Sequence, residues 1–205
     1  MQTATSQDKT QPCLQRKIVQ DAKAGGSSPL ARPRVLKTKK DSTGIMSLVK
    51  DMAETGRYLL ILGCSKRKRR LPSTPIPAIE RYDGPFYRII RKAFREHGEL
   101  HNLDVMVLSA KYGLIDLNEK IATYDQHMTL EMAKGIAGNL YSSLANILKT
   151  NQYEEVMINL GKEYMMALNK SGDILENQKV RYGSGGIGER MKQLKEWLSD
   201  IYREG

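Results

Sequence analysis

The sequence predicts a three-layer, Rossmann-like α/β domain with a mostly parallel, four- to five-stranded sheet over residues 57–205. Two observations predict this class. Short apolar runs alternate with segments of helical periodicity, and small or polar residues follow each apolar run. Strands separated by helices form parallel β-α-β units with right-handed crossovers. The four strands are predicted at 57–63, 103–109, 155–160 and 179–182.

Helices are predicted between these strands and after the last one. The first begins beyond Asp83, which we expect to cap it, and its apolar residues recur at helical spacing up to Gly98. Three more helices are predicted at 129–149, 162–168 and 187–202. Each has an apolar face, so we expect the helices to cover both sides of the sheet.

The N-terminal quarter of the chain has a different composition. The first 56 residues contain 10 Lys/Arg and 5 Asp/Glu, whereas the rest contain 23 and 18. Residues 1–44 are polar and interrupted by Gly and Pro, so we expect a disordered basic tail. Residues 45–56 are predicted to be a linker or short helix, which leaves 57–205 as a single domain. The tail would serve as a nucleic-acid-binding arm or as a targeting segment.

Composition limits the classes of function. The chain has no apolar run near the roughly 20 residues of a membrane span, so we expect a cytoplasmic protein without membrane contact. The cysteines, Cys13 and Cys64, lie in unlike surroundings, and the 3 histidines are not clustered with them. We therefore predict neither a disulfide nor a metal site. The net charge of +10 favours nucleic acid or a nucleotide as partner, although a mildly basic surface needs no such partner. The cofactor and the oligomeric state stay open.

The first predicted strand ends in a run of small and basic residues. Ligands of open parallel sheets bind beyond the carboxyl ends of the strands. Ser65, Lys66 and Lys68 are therefore candidates for contacting a phosphate. Cys64 is either a nucleophile made reactive by neighbouring cations or a buried structural residue.

The second predicted strand is followed by further polar candidates. Ser109 and Lys111 would orient or activate a ligand, and Tyr112 and Gly113 would contact it. Asp125 would supply a carboxylate that orients Lys111 or the ligand. Its alternative role is in an ordinary capping loop before the next helix.

The third and fourth strands end in glycine-containing turns. Asn159, Gly161 and Tyr164 follow the third strand and are ligand-binding candidates, with plain turn chemistry as the alternative. After the fourth strand, a Gly-x-Gly-x-x-Gly pattern lacks the acidic residue that a dinucleotide site needs on a following strand. Gly185, Gly186 and Arg190 are therefore predicted to attract an anion at a helix N-terminus.

Several of these segments resemble a largely uncharacterised bacterial and phage family. They are Cys64–Lys66, Tyr82–Phe86, Leu108–Ile115, Tyr124-Asp125 and Ile158–Tyr164. That family is similar to the YaaA peroxide-stress proteins and, more remotely, to the archaeosine synthase core domain, which the Gly63-Cys64-Ser65 turn and Lys68 resemble. The resemblance implies an association with nucleic acid in stress or genome protection. The chain departs from archaeosine synthase where Arg69-Arg70 follows Lys68, and its core is shorter than that of YaaA.

Three functions remain open from the sequence. The first is a nucleic-acid-associated protein that binds a phosphate-bearing ligand at the strand ends. The second is an enzyme acting on a nucleotide or nucleobase by base modification or glycosidic chemistry, with Lys111, Ser109, Asp125 and Cys64 as its catalytic residues. The third is a small-ligand binding module without chemistry.

Overall fold

The computed structural model describes residues 56–204, apart from the side chain of Lys170. The predicted tail and all but the last residue of the predicted linker lie outside the described residues. The strands, in chain order, are β1 (Arg57–Gly63), β2 (Ile76–Pro77), β3 (Leu103–Ser109), β4 (Gly113–Asp116), β5 (Lys120–Ile121), β6 (Tyr153–Asn159) and β7 (Val180–Tyr182). The helices are α1 (Ala78–Arg81), α2 (Pro85–His97), α3 (Leu130–Thr150), α4 (Lys162–Leu168), α5 (Gly172–Leu175) and α6 (Ile187–Glu204), with a 3₁₀ turn at Asn169–Ser171.

The middle layer is a five-stranded sheet in the order β4-β3-β1-β6-β7. Strand β1 pairs in parallel with β3 and β6, and β6 pairs in parallel with β7. The edge strand β4 runs antiparallel to β3. A separate two-stranded sheet joins β2 and β5. The predicted α/β class with a mostly parallel sheet is confirmed.

The sheet is buried on both faces. Along β1, Tyr58, Leu60 and Leu62 belong to one hydrophobic core, and Leu59 and Ile61 belong to the other. This alternation follows from the two-residue period of a strand. Helices α2 and α6 cover the first face, and α3 and α4 cover the second. Fully burying each large aliphatic side chain contributes roughly 1.5–3 kcal/mol, so this arrangement stabilises the three layers.

The start of α2 differs from the prediction. Gly84, not Asp83, is the N-cap residue, and Pro85 occupies the first turn. The carboxylate of Asp83 instead accepts hydrogen bonds from Arg88 at 2.8 Å and from Arg91 at 3.1 Å. The hydrogen bond with Arg88 is the main reason why the pKa of Asp83 lies below its ordinary value.

Membrane spanning is not supported by the described part of the chain. Within residues 56–204, every helix is too short or too polar to cross a bilayer.

Candidate ligand-binding cleft at the strand ends

The carboxyl ends of the parallel strands lie side by side. Gly63 of β1 is in register with Leu108 of β3, and Leu62 is in register with Asn159 of β6. The residues that follow these strands therefore meet at one edge of the sheet. This is the edge at which the sequence predicts the ligand site.

A cleft of about 1140 Å³ opens at this edge and extends between α2 and α6. Near its far end, the Tyr202 hydroxyl donates a 2.6 Å hydrogen bond to the carbonyl of Gly98, just beyond α2. The basic side chains that line the cleft are Lys66, Arg67, Arg88, Lys92, Arg190, Lys195 and Arg203. The acidic ones are Asp83, Glu96 and Glu163.

Ion pairs neutralise part of this charge. Asp83 pairs with Arg88 at 2.8 Å, and Glu96 pairs with Lys92 at 3.7 Å. Cations nevertheless outnumber carboxylates along the walls, and a concave surface lined by one sign of charge concentrates ions of the other sign. The cleft therefore favours an anionic ligand.

The buried Asn159 and the half-buried Arg190 form a hydrogen-bonded pair at the strand end of the cleft. The Asn159 Oδ1 accepts hydrogen bonds from Arg190 Nε at 2.8 Å and Nη2 at 2.5 Å. Burial lowers the pKa of Arg190, whose guanidinium also lies 5.2 Å from the centre of the Phe86 ring. The Asn159 Nδ2 is buried and has no hydrogen-bond partner among the described residues. Because a buried donor without a partner is unfavourable, this amide is suited to an acceptor atom of a ligand.

The loop after β7 passes close to this amide. A Cβ atom on Gly183 would lie 3.0 Å from Asn159 Oδ1. The absence of a side chain at residue 183 thus leaves room for Asn159 to bind Arg190.

Cys64 lies in the wall of the same cleft. Its sulfur is 2.9 Å from the hydroxyl oxygen of Tyr164, which lines the cleft from α4. Burial raises the pKa of Tyr164, so its hydroxyl keeps its proton at neutral pH. A half-buried thiol held in this way is within reach of a ligand in the cleft.

A cluster of hydroxyl groups lies behind Cys64. The Tyr124 hydroxyl is 2.7 Å from that of Tyr82 and 2.9 Å from Ser109 Oγ. Ser109 Oγ also accepts the backbone N–H groups of Lys111 and Tyr112, which fixes the turn after β3. Burial raises the pKa of Tyr82 to about 12. These hydroxyls therefore stay neutral over the physiological pH range.

Lys68 packs against this cluster. Its Nζ lies 4.2 Å from the centre of the Tyr124 ring. Burial lowers the pKa of Lys68, although the nearby Cys64 and Asp125 act in the opposite direction. The structure thus brings Lys68 of the β1 loop next to residues that follow β3.

The other candidates after β3 are more exposed. Lys111 Nζ lies 5.3 Å from the centre of the Tyr112 ring and 5.7 Å from that of Tyr124. Asp125 points into solvent and is 3.6 Å from His127. The described residues include no direct hydrogen bond or ion pair between Asp125 and Lys111, so the predicted orienting contact is not formed in this state. Gly113 has a φ of +74°, which suits the turn into β4.

The glycine loop before α6 already uses some of its amides. Gly186 N–H donates to Glu189 Oε2 at 2.8 Å, and Ser184 N–H donates to Gln193 Oε1 at 3.0 Å. Gly185, with a φ of +79°, lets the chain turn between them. Fewer amides are therefore available to an anion than the glycine pattern indicates. The positive charge that this region brings to the cleft comes from Arg190, in the first turn of α6 after the loop.

The remaining predicted residues lie at turns beside the cleft. Ser65 Oγ accepts the N–H of Arg67 at 3.1 Å, which shapes the loop after β1. Lys66 is exposed at the mouth of the cleft. Gly161 is the N-cap residue of α4 and lines the cleft.

Sequence reasoning missed a buried arginine that organises the basic loop. Arg81 has no exposed surface. Its guanidinium donates to the carbonyls of Arg69 at 2.7 Å, Pro72 at 3.1 Å, Thr74 at 2.7 Å and Ile121 at 3.3 Å. An arginine is rarely buried unless its donors are paired. Nothing in the local sequence distinguishes Arg81 from the exposed arginines around it.

Fold and cleft together define an α/β protein with a cationic site at the strand ends. The chain belongs to a family of unknown function (DUF6884), whose model matches residues 59–196. This confirms the expectation of an uncharacterised family. A comparison with the curated proteins finds no match.

A solved structure described as AF0587, a protein of unknown function, is similar to this chain at 14% sequence identity, with a TM-score of 0.43. The match covers 72% of this chain and 48% of that one, so the chain spans about half the length of AF0587.

Proposed function

We propose that the cleft binds a phosphate-bearing ligand, which is either a free nucleotide or a nucleotide within nucleic acid. The observation that carries this proposal is the excess of cations along a cleft whose strand end holds the buried, unpartnered Nδ2 of Asn159. Phosphate groups bind to Lys and Arg, and Asn159 Nδ2 offers a donor to an oxygen or ring nitrogen of the ligand.

The shape of the cleft also suits a nucleotide. Phe86 and Met191 add apolar surface next to the charged walls, and an aromatic ring or a guanidinium plane can stack on a base. The resemblance to YaaA proteins supports a role beside nucleic acid in stress or genome protection.

Replacing Arg190 with glutamine is expected to weaken nucleotide binding by about 10- to 100-fold. The reason is that charge-assisted hydrogen bonds contribute about 1.5–3 kcal/mol each. Calorimetric titration with nucleoside 5′-monophosphates measures the effect. A second variant, Lys66→Gln, removes an exposed charge at the mouth and is expected to weaken binding without changing stability.

Lys162→Gln is the matched control, because Lys162 is exposed at the start of α4 and does not line the cleft. The proposal fails if the wild-type protein binds neither a nucleoside monophosphate nor a short oligonucleotide. It also fails if Arg190→Gln and Lys66→Gln bind as tightly as Lys162→Gln.

A second candidate function is an enzyme that modifies a nucleotide or nucleobase. The specific observation in its favour is the position of the Cys64 thiol, in the cleft wall and 2.9 Å from Tyr164. A thiol beside a bound ligand can serve as a nucleophile. Burial lowers the pKa of the neighbouring Lys68, which favours proton transfer to and from its amine.

If the protein turns over a nucleotide or oligonucleotide, Cys64→Ala is expected to slow product formation by at least about 100-fold, as for loss of a nucleophile or acid-base group. Nucleotide affinity should change less than about threefold, because the thiol contributes no charge-assisted contact. Mass spectrometry of incubated nucleotides gives the rate. An unchanged rate would exclude Cys64 from the chemistry, and the same assay on Lys111→Ala tests Lys111.

A further inference from the structure

The cationic surface does not stop at the cleft. Five consecutive basic residues, Lys66 to Arg70, follow the turn after β1; we name them the basic ridge. Lys66 and Arg67 line the cleft, whereas Arg69 and Arg70 continue beyond it and are exposed. A ligand phosphate that binds at Lys66 and Arg67 is therefore next to further unoccupied cations outside the cleft.

The backbone of the basic ridge is fixed by the body of the domain. Arg67 accepts a 2.8 Å hydrogen bond from the N–H of Asp83, and Arg69 donates one of 2.8 Å to the carbonyl of Arg81. Between them, Lys68 forms an antiparallel bridge with Tyr82. The buried guanidinium of Arg81 then binds the carbonyl of Arg69 at 2.7 Å. The backbone of the ridge is thus held in place from Arg67 to Arg69.

Little negative charge balances the ridge. Among the described residues, the one carboxylate in an ion pair with the ridge is Asp83, which lies 3.7 Å from Arg67 and is shared with Arg88 and Arg91. Ordering several like charges in neighbouring positions is unfavourable without a partner. Lys68 packs against the Tyr124 ring, so the exposed cations of the ridge are Lys66, Arg67, Arg69 and Arg70.

We propose that the ligand is a single-stranded polynucleotide, with one nucleotide in the cleft and its neighbouring phosphates on the basic ridge. This inference rests on the proposed function of the cleft and decides between a free nucleotide and a polymer. A nucleotide inserted between α2 and α6 must be unpaired, which excludes an intact duplex. The ridge also continues the positive charge of the cleft beyond Arg67, to the exposed Arg69 and Arg70. Lys111 and the half-buried Tyr112 provide a cation and an aromatic face at the same edge of the sheet.

The test compares Arg69→Gln/Arg70→Gln with the wild-type full chain. Both side chains are exposed and outside the cleft. The expected result is a fall of about 1.4 in the slope of log K against log salt for oligothymidylate and oligouridylate, because each phosphate contact on a single strand contributes about 0.7. At about 0.1 M salt the same relation gives a loss of affinity of about 25-fold. The affinity for nucleoside monophosphates should change less than about twofold, because neither arginine lines the cleft.

Lys134→Gln/Lys149→Gln is the matched control, since it removes the same charge from exposed positions on α3, across the sheet. If monophosphates bind but the oligonucleotide slope is the same in the ridge variant and in this control, the ridge inference is overturned and the proposed function stands. If neither monophosphates nor oligonucleotides bind, the proposed function fails and this inference falls with it. Tighter binding of duplex than of single strands would also overturn the inference.

Discussion

Replacing Arg81 with methionine is expected to lower the free energy of unfolding by about 3–5 kcal/mol. The guanidinium is fully buried and donates to four carbonyl groups. Methionine fills a similar volume but donates no hydrogen bond, so these carbonyl groups lose their partners. A buried carbonyl without a partner costs about 1–3 kcal/mol, and the cost is smaller where water can reach the group. Urea denaturation followed by circular dichroism measures the change.

Arg95→Met is the control for this substitution. Arg95 lies exposed in the last turn of α2 and should cost less than about 0.5 kcal/mol, as surface changes usually do. Limited trypsin digestion provides a local readout, because trypsin cleaves after the basic residues that Arg81 holds in place. Faster cleavage at Lys66 to Arg70 is expected in Arg81→Met under native conditions. A variant as stable and as resistant as Arg95→Met would show that Arg81 does not organise the loop.

The hydroxyl cluster of Tyr82, Tyr124 and Ser109 is expected to make the stability of the fold sensitive to alkaline pH. Burial raises the pKa of Tyr82 to about 12, against about 10 in an unfolded chain. The folded state therefore binds the hydroxyl proton of Tyr82 more tightly than the unfolded state does. The stabilisation is therefore complete below pH 10 and is lost as the pH rises towards 12. At about 1.4 kcal/mol per pKa unit, Tyr82 alone accounts for about 2–3 kcal/mol.

Denaturation midpoints measured between neutral pH and pH 12 test this expectation. Tyr82→Phe should lose about 1 kcal/mol at neutral pH, because Tyr124 loses a hydrogen-bond partner. Its further loss above pH 10 should be smaller than that of the wild type by about 2–3 kcal/mol. Tyr182→Phe, at an exposed position, should follow the wild-type curve. Identical alkaline losses in all three proteins would contradict the assignment to Tyr82.

Elements with a local pattern were predicted from the sequence. Strand β1 and helix α4 were predicted with the bounds that the structure shows. The end of β1 is set by the glycine that closes its apolar run, and the start of α4 by the glycine before its amphipathic segment. Strand β4 was missed. Its four residues follow a tight turn and pair antiparallel with β3, and so short an apolar stretch has no period of its own.

The sequence predicted where the candidate site lies, but not which side chains contact each other in it. Parallel strands bring their ends together, so the edge of the sheet followed from the fold class. The pairing of Asn159 with Arg190 joins residues 31 positions apart, and the hydroxyl contact of Tyr82 with Tyr124 joins residues 42 positions apart. Such contacts depend on how helices and loops pack on the sheet. The capping role expected for Asp83 was wrong because nearby arginines compete for its carboxylate.

The hydrogen bond between Tyr202 and Gly98 affects how the cleft accommodates ligands of different width. It joins the C-terminal ends of α2 and α6, and the Tyr202 ring also packs on His97 at 4.9 Å. The opposite end of α6 carries Arg190, which contacts the sheet through Asn159. Both ends of α6 are therefore held, one by α2 and the other by the sheet. A bulky base could widen the cleft at the strand ends only by replacing the hydrogen bonds between Arg190 and Asn159 with bonds of its own.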